Sequence, residues 1–130
     1  ILAWVGARTI REHITPTLQE AAAAAGQSAP RIIATLPVAV TDDPAAVRAR
    51  GAKAFSMYGE LPSYRAMLER EGVESPEELI LAGSEDQVAE QIAELARAGV
   101  TDFAASEFTR DEGEAQRTRA LLEELASSDG

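Results

Sequence analysis

Residues 31–41 read Arg-Ile-Ile-Ala-Thr-Leu-Pro-Val-Ala-Val-Thr, and this stretch decides the fold class of the chain. Its apolar side chains occupy both odd and even positions, so it lacks the alternation of a strand with one wet face. Such a run is typical of a parallel strand that is covered on both faces. Pro37 lacks the N–H that a central strand donates, so we expect a bulge or the frayed end of the ladder there.

Two further strands are predicted, over residues 1–5 and 101–106, and helical patterns separate all three strands. Helix-start signals at Asp43-Pro44 and Ser75-Pro76 lie in a cluster of helices between the second and third strands. Strands that alternate with helices predict parallel pairing through right-handed crossovers. Because no linker-like segment interrupts the pattern, we expect residues 1–130 to form a single α/β unit.

One face of this sheet has no predicted cover. If the three strands are consecutive staves of a barrel, their crossovers place the helices on one face only. About half of the apolar residues of the strands then lie on the other face, and a large exposed apolar patch is unusual for a monomer. We expect further polypeptide or a second copy of the chain to cover that face. The alternative is a three-stranded sandwich with helices on both sides.

Composition excludes several classes of function. The chain has 130 residues, a net charge of −10, one histidine and no cysteine. This charge argues against nucleic acid and lipid surfaces as partners, because both attract basic clusters. No apolar run is long enough to span a membrane. The absence of cysteine fits a reducing compartment, so we expect a cytoplasmic protein with no thiolate or multi-histidine metal site. Because the sequence starts at Ile1 in the middle of an apolar stretch, we also expect the chain to be a piece of a longer polypeptide.

Several motifs in order resemble one family. They are Trp4-Val5-Gly6 with Arg8-Thr9, residues 36–44, residues 58–68, residues 82–88 and residues 98–103. Each motif is weak, and their order along the whole chain carries the resemblance. In this respect the chain resembles the luciferase-like monooxygenase superfamily, and within it the oxidoreductases that use the deazaflavin coenzyme F420.

The resemblance implies a TIM-type (β/α)8 barrel. This chain would be its C-terminal portion, made of the last three β/α units plus a helical insertion, and the N-terminal part of the barrel would be missing. It also implies hydride transfer between F420 and a small organic substrate, or FMN chemistry in a related monooxygenase. The family's leading catalytic residues lie in the missing part, so no catalytic residue is assigned and the fragment alone is expected to be inactive. A free-standing α/β module that dimerises through the apolar sheet face is the alternative.

Barrel enzymes of this type bind their ligands at the carboxyl ends of the strands, and the residues after the first strand are therefore candidates for the cofactor site. We expect Trp4 to wall the cofactor ring and Gly6 to allow a close approach of the backbone. The competing interpretation is an aromatic core residue followed by an ordinary turn glycine.

The insertion after the second strand supplies the candidate substrate-binding residues, Tyr58, Ser63, Tyr64 and Arg65. Hydroxyl groups and a guanidinium fork suit an oxygenated or anionic substrate. The two tyrosines are also spaced as core-facing positions of a helix, which is the alternative interpretation.

Three other positions have weaker signals. Ser106 and Glu107 end the last strand, where a hydroxyl or a carboxylate would face a pocket, but a surface loop is the favoured explanation for them. Gly83-Ser84 opens a helix whose free N–H groups suit a phosphate, but helix capping explains Ser84 fully. His13 lies on an outer helix and is expected to be solvated.

Overall fold

The computed structural model describes residues 1–128, which form one parallel sheet with helices. The strands are β1 (Leu2–Ala3), β2 (Ile33–Val40), β3 (Leu81–Gly83) and β4 (Asp102–Glu107). The helices are α1 (Ala7–Thr9), α2 (Thr15–Ala24), α3 (Pro44–Ala54), α4 (Pro62–Glu71), α5 (Glu85–Ala98) and α6 (Glu112–Ser128). A π-helical turn (Ile10–Ile14) joins α1 to α2, and two 3-10 turns (Ser56–Glu60 and Pro76–Leu79) flank α4.

Strand β2 is the centre of the sheet, and every strand runs parallel to it. On one side it pairs with the whole of β4, from Ile33 opposite Asp102 to Val38 opposite Glu107. On the other side β1 pairs with residues 34–35 and β3 with residues 38–40. β1 and β3 therefore lie end to end along the same edge of β2.

The structure corrects the predicted strands in number and in length. It has four strands instead of three, because β3 was missed. Strand β3 follows the capping box at Ser75 and has three residues, and so short a segment does not show a strand pattern. The strand predicted over residues 1–5 covers only Leu2–Ala3, since Trp4 has a positive φ of 62° and leaves the strand conformation. The strands predicted over residues 31–41 and 101–106 are Ile33–Val40 and Asp102–Glu107.

The expected bulge at Pro37 is absent from the pairing with β4, whereas the ladder on the other edge of β2 is interrupted there, between β1 and β3. Pro37 lies opposite Ser106 in an unbroken register. The backbone groups of the even-numbered residues of β2 face β4, because the Val38 carbonyl accepts the Phe108 N–H. Those of the odd-numbered residues face the opposite edge, because the Thr41 N–H donates to the Gly83 carbonyl of β3. Pro37 therefore directs its missing N–H toward the other edge, between the end of β1 and the start of β3. No ladder bond is lost there.

The helices cover the face of the sheet that carries the even-numbered residues of β2. Ala34 and Leu36 pack with Ile10 and Leu95 in one buried cluster. Val38 and Val40 pack with Val88 of α5 and Leu121 of α6 in a second cluster. Burying these branched side chains removes apolar surface from water and supplies the main driving force for folding.

The opposite face of the sheet is covered only at its carboxyl end. There Ala39 packs against Val47 of α3 and against Ile80. Further back along the strands, Ala3, Ala104 and Ser106 are exposed, and Thr35 is half-buried. The open surface combines these small and hydroxyl-bearing side chains with Ile33, which is half-buried on the same face. Within residues 1–128, helices do not enclose the sheet on both sides, and the four strands do not close a barrel.

Two general searches of the described part of the chain bear on function. None of its helices combines the length and the apolarity that crossing a membrane requires. Within residues 1–128, no three histidine, aspartate or glutamate side chains are grouped as a metal site needs.

Candidate functional site at the carboxyl ends of the strands

Five of the six aromatic residues of the chain come together in one cluster. The Trp4 ring lies 4.6 Å from Phe55 and 5.6 Å from Tyr58, measured between centroids. Tyr58 lies 5.2 Å from Tyr64, and Phe55 lies 5.1 Å from Phe108. We call these five residues the aromatic cluster. Their spacing is that of edge-to-face and tilted ring pairs.

The aromatic cluster lies at the carboxyl edge of the sheet because of where its members follow the strands. Trp4 comes directly after β1, and Phe108 comes directly after β4. Phe55 and Phe108 pack on the buried group that contains Ala39. Ala39 belongs to the same face of β2 as Thr35, since the two residues are four apart. Phe55 and Phe108 therefore border the open face at its carboxyl end, and Trp4 joins them while also packing on the buried cluster of Ala34 and Leu36.

Trp4 is held in a backbone conformation that L-residues with large side chains rarely adopt. Its φ of 62° is the one positive value among the non-glycine residues that the structure describes. Such a conformation costs free energy and persists where the surroundings hold it. Here the contacts of its ring with Phe55 and Tyr58 supply that restraint.

The structure brings together only part of the predicted substrate set. Tyr58 and Tyr64 contact each other within the aromatic cluster, beside the predicted cofactor residue Trp4. Ser63 is exposed at the start of α4. Arg65 is also exposed and donates to the Gly59 carbonyl at 3.2 Å. It borders an outer surface depression, away from the aromatic rings.

Gly6 has a local structural role that the sequence did not reveal. It precedes α1 and has no side chain to cap that helix. The carboxylate of Glu71 takes over this task and accepts the N–H of Thr9 at 2.8 Å and that of Arg8 at 3.2 Å. A Cβ atom at Gly6 would overlap the Glu71 carboxyl group. The close approach that Gly6 allows is thus an approach of Glu71.

Of the weaker candidates, Ser106 lies near the aromatic cluster, and the others are in an ion pair, in a helix cap or exposed. Ser106 is exposed on the open face, two residues before Phe108 of the aromatic cluster. Glu107 forms an ion pair with Arg119 at 2.7 Å, and the hydrogen bond from Arg119 lowers the pKa of this carboxyl below its usual value. Ser84 accepts the Gln87 N–H at 3.3 Å as a helix cap. His13 is exposed.

Sequence reasoning missed three residues of this region. They are Phe55, Phe108 and Arg50. Arg50 of α3 places its guanidinium carbon 4.8 Å from the centre of the Phe108 ring and donates to the Phe108 carbonyl at 3.3 Å. One signal for Phe108 was present, because it directly follows a predicted parallel strand and must lie at the carboxyl edge.

The arrangement suits the binding of a planar ring better than acid–base chemistry. Aromatic residues lie at one end of an open surface that includes the small and hydroxyl-bearing residues Ala3, Thr35, Ala104 and Ser106. Small side chains leave room for a ring, and the two hydroxyl groups can hydrogen-bond to its polar edge. The tyrosine hydroxyls of the aromatic cluster add two more such groups.

The class that these features define is an α/β fold with an all-parallel sheet and a site at the carboxyl ends of its strands. The structure of an F420-dependent secondary alcohol dehydrogenase, in complex with an F420–acetone adduct, resembles this chain with a TM-score of 0.62 at 16% sequence identity. The match covers 89% of this chain and 39% of that chain, so the chain spans well under half the length of the enzyme. At this identity the likeness establishes a shared fold.

The sequence comparisons add no assignment. No protein-family model matches the chain. No curated protein matches it either.

Proposed function

We propose that this chain is part of an F420-dependent oxidoreductase and forms the C-terminal staves of its barrel. The observation that carries the proposal is the match of 89% of the chain to an F420-dependent alcohol dehydrogenase. The open sheet face supports it, because a barrel interior is completed by strands that these residues do not supply. The free edges of β1 and β4 would then pair with the remaining strands of the same protein.

The aromatic cluster and the open face would contribute part of the cofactor and substrate pocket. Trp4 and Tyr58 would lie against the deazaflavin ring, and the small residues Ala3 and Ala104 would leave space for it. F420, when bound, supplies or takes the hydride. The chain's own residues orient the ring and keep water from one side of it.

The substrate would be a small organic molecule bound beside the ring. Tyr58 and Tyr64, whose rings contact each other, would offer their hydroxyl groups to an oxygen-bearing substrate as hydrogen-bond donors or acceptors. Ser63 and Arg65 lie outside this arrangement, so we give them no part in it. In this proposal the general acid or base would come from the remaining part of the barrel.

The direct test is a titration of the protein that carries residues 1–130 with F420 and, separately, with FMN. Trp4 is the single tryptophan of the chain, so its emission reports a ring that binds beside it. We expect saturable quenching by F420. Trp4→Leu lacks this probe, so its affinity is measured by the fluorescence of the deazaflavin, and we expect about tenfold weaker binding from the loss of an aromatic contact and its buried area.

Phe103 provides a matched control, because it is the one aromatic residue outside the aromatic cluster and packs on the helix-covered side of the sheet. Phe103→Leu should leave the affinity for F420 unchanged, as measured by the fluorescence of the deazaflavin. Tighter binding of FMN would reassign the cofactor to flavin. Binding of neither ring would end the proposal.

A further inference from the structure

The guanidinium of Arg50 lies against Phe108 of the aromatic cluster. It contacts the ring of Phe108 and donates from Nη2 to the Phe108 carbonyl at 3.3 Å. Its Nε atom is buried and has no hydrogen-bond partner within residues 1–128. In the same part of the chain, no carboxylate forms an ion pair with it.

Most other arginines in the molecule differ from Arg50, because they form an ion pair. Arg31, Arg117 and Arg119 each pair with a carboxylate at the surface. A positive charge that is half-buried and unpaired keeps a longer electrostatic reach than an exposed pair, because less water screens it. The chain as a whole carries a net charge of −10, so this local charge opposes the overall field.

The position of the charge relative to the rings is set by consecutive contacts. Arg50 stacks on Phe108 at 4.8 Å, Phe108 packs on Phe55 at 5.1 Å, and Phe55 packs on Trp4 at 4.6 Å. A ligand that lies against Trp4 and Phe55 is therefore two ring layers or less from the guanidinium. At this range a formal charge on the ligand changes its binding free energy.

We propose that Arg50 is a specificity-determining residue, which makes the aromatic cluster select planar ligands that carry negative charge over neutral ones. This inference rests on the proposed function for the location of the site, and it adds the charge of the ligand. Arg50 acts through its charge and through its hold on Phe108, which fixes the ring that separates it from the ligand.

Riboflavin and FMN form a suitable pair of probes, because they share one ring system and differ by the phosphate that FMN carries. The measurement is the ratio of their dissociation constants, at low and at high salt, for the protein that carries residues 1–130. We expect a preference for FMN of about five- to tenfold that salt reduces. Arg50→Met should remove the preference.

Two variants separate charge from structure. Arg50→Lys keeps the charge but loses the planar stacking, so the preference should persist even if both ligands bind more weakly. Arg97→Met removes a positive charge from helix α5, at an exposed side chain that pairs with Glu90. It should leave the ratio near the unmodified value. Circular dichroism of each variant checks its fold.

The outcomes distinguish this inference from the proposed function. An equal weakening of both ligands in Arg50→Met, with the ratio unchanged, shows a purely structural role and overturns the inference. A protein that binds neither flavin also overturns it. If F420 fails to bind while FMN binds with an Arg50-dependent preference, the inference stands and the F420 proposal falls.

Discussion

Glu71 caps α1 from the far end of the helical insertion. Its carboxylate accepts the N–H of Thr9 at 2.8 Å and the N–H of Arg8 at 3.2 Å, and the first of these bonds spans 62 positions of sequence. The carboxylate thus satisfies donors that the start of a helix leaves free, and its charge lies at the positive end of the helix dipole. This contact ties α4 to the residues that directly follow β1 and Trp4.

Removing this carboxylate should destabilise the fold. We expect Glu71→Ala to lower the free energy of unfolding by about 1.5–3 kcal/mol, the range for hydrogen bonds to charged groups. Glu71→Gln keeps an acceptor and should cost less. Urea denaturation measures both, with Glu69→Ala, at an exposed position of the same helix, as the control. Equal midpoints for Glu71→Ala and Glu69→Ala would contradict the capping role.

A methyl group at Gly6 should be tolerated only when Glu71 is truncated. Gly6→Ala places a Cβ atom into the Glu71 carboxyl group, so we expect a loss of about 1–3 kcal/mol from overpacking. In the double variant with Glu71→Ala, the added methyl group meets no carboxyl group. A double-mutant cycle should therefore give a coupling of about 1 kcal/mol or more. Additive effects would show that another contact restricts Gly6.

The hydroxyl group of Thr118 should stabilise the fold, because it is the hydrogen-bond partner of the last residue of β2. It accepts the buried N–H of Val40 at 2.9 Å and donates to the Glu114 carbonyl at 2.7 Å. Thr118→Val leaves the Val40 N–H without a partner, at a cost of about 1–3 kcal/mol. Thermal unfolding should show this loss, whereas Thr17→Val, at an exposed hydroxyl, should change little. A stabilised Thr118→Val would refute the assignment.

Asp102 should titrate below its usual range because of Arg31. Hydrogen bonds from Arg31 and from Thr101 lower the pKa of this carboxyl. Since the folded pKa lies below the unfolded value of about 3.9, the pair stabilises the fold above that value and its contribution is lost as the pH falls through the folded pKa.

The carboxyl carbon shift of Asp102, followed by NMR against pH, measures this effect. In Arg31→Met the Asp102 pKa should rise toward its ordinary value, and it should stay slightly below that value because the Thr101 hydroxyl remains. Arg97→Met removes a surface arginine that pairs with Glu90, so it serves as the control. An unchanged Asp102 titration in Arg31→Met would exclude the ion pair in solution.

Local signals in the sequence predicted the elements whose cause is itself local. The uninterrupted apolar run of residues 31–41 predicted a central parallel strand, and the structure places β2 at the centre of the sheet. Asp43 caps α3 by accepting the Ala46 N–H, as its position before Pro44 predicted. Capping depends on residues three positions apart, so a single sequence contains all the information it requires.

Contacts between segments that are distant in sequence decided the remaining features, namely strand β3, the aromatic cluster and the role of Gly6. Strand β3 has three residues and is a strand only because β2 lies beside it. Trp4, Phe55 and Phe108 lie in one cluster although long stretches of sequence separate them, and Gly6 is required by a carboxylate 65 positions later. Sequence by itself determined which segments are strands and helices where propensity and capping suffice. The path of the chain in three dimensions decided which side chains meet, because packing free energy depends on neighbours that sequence order does not reveal.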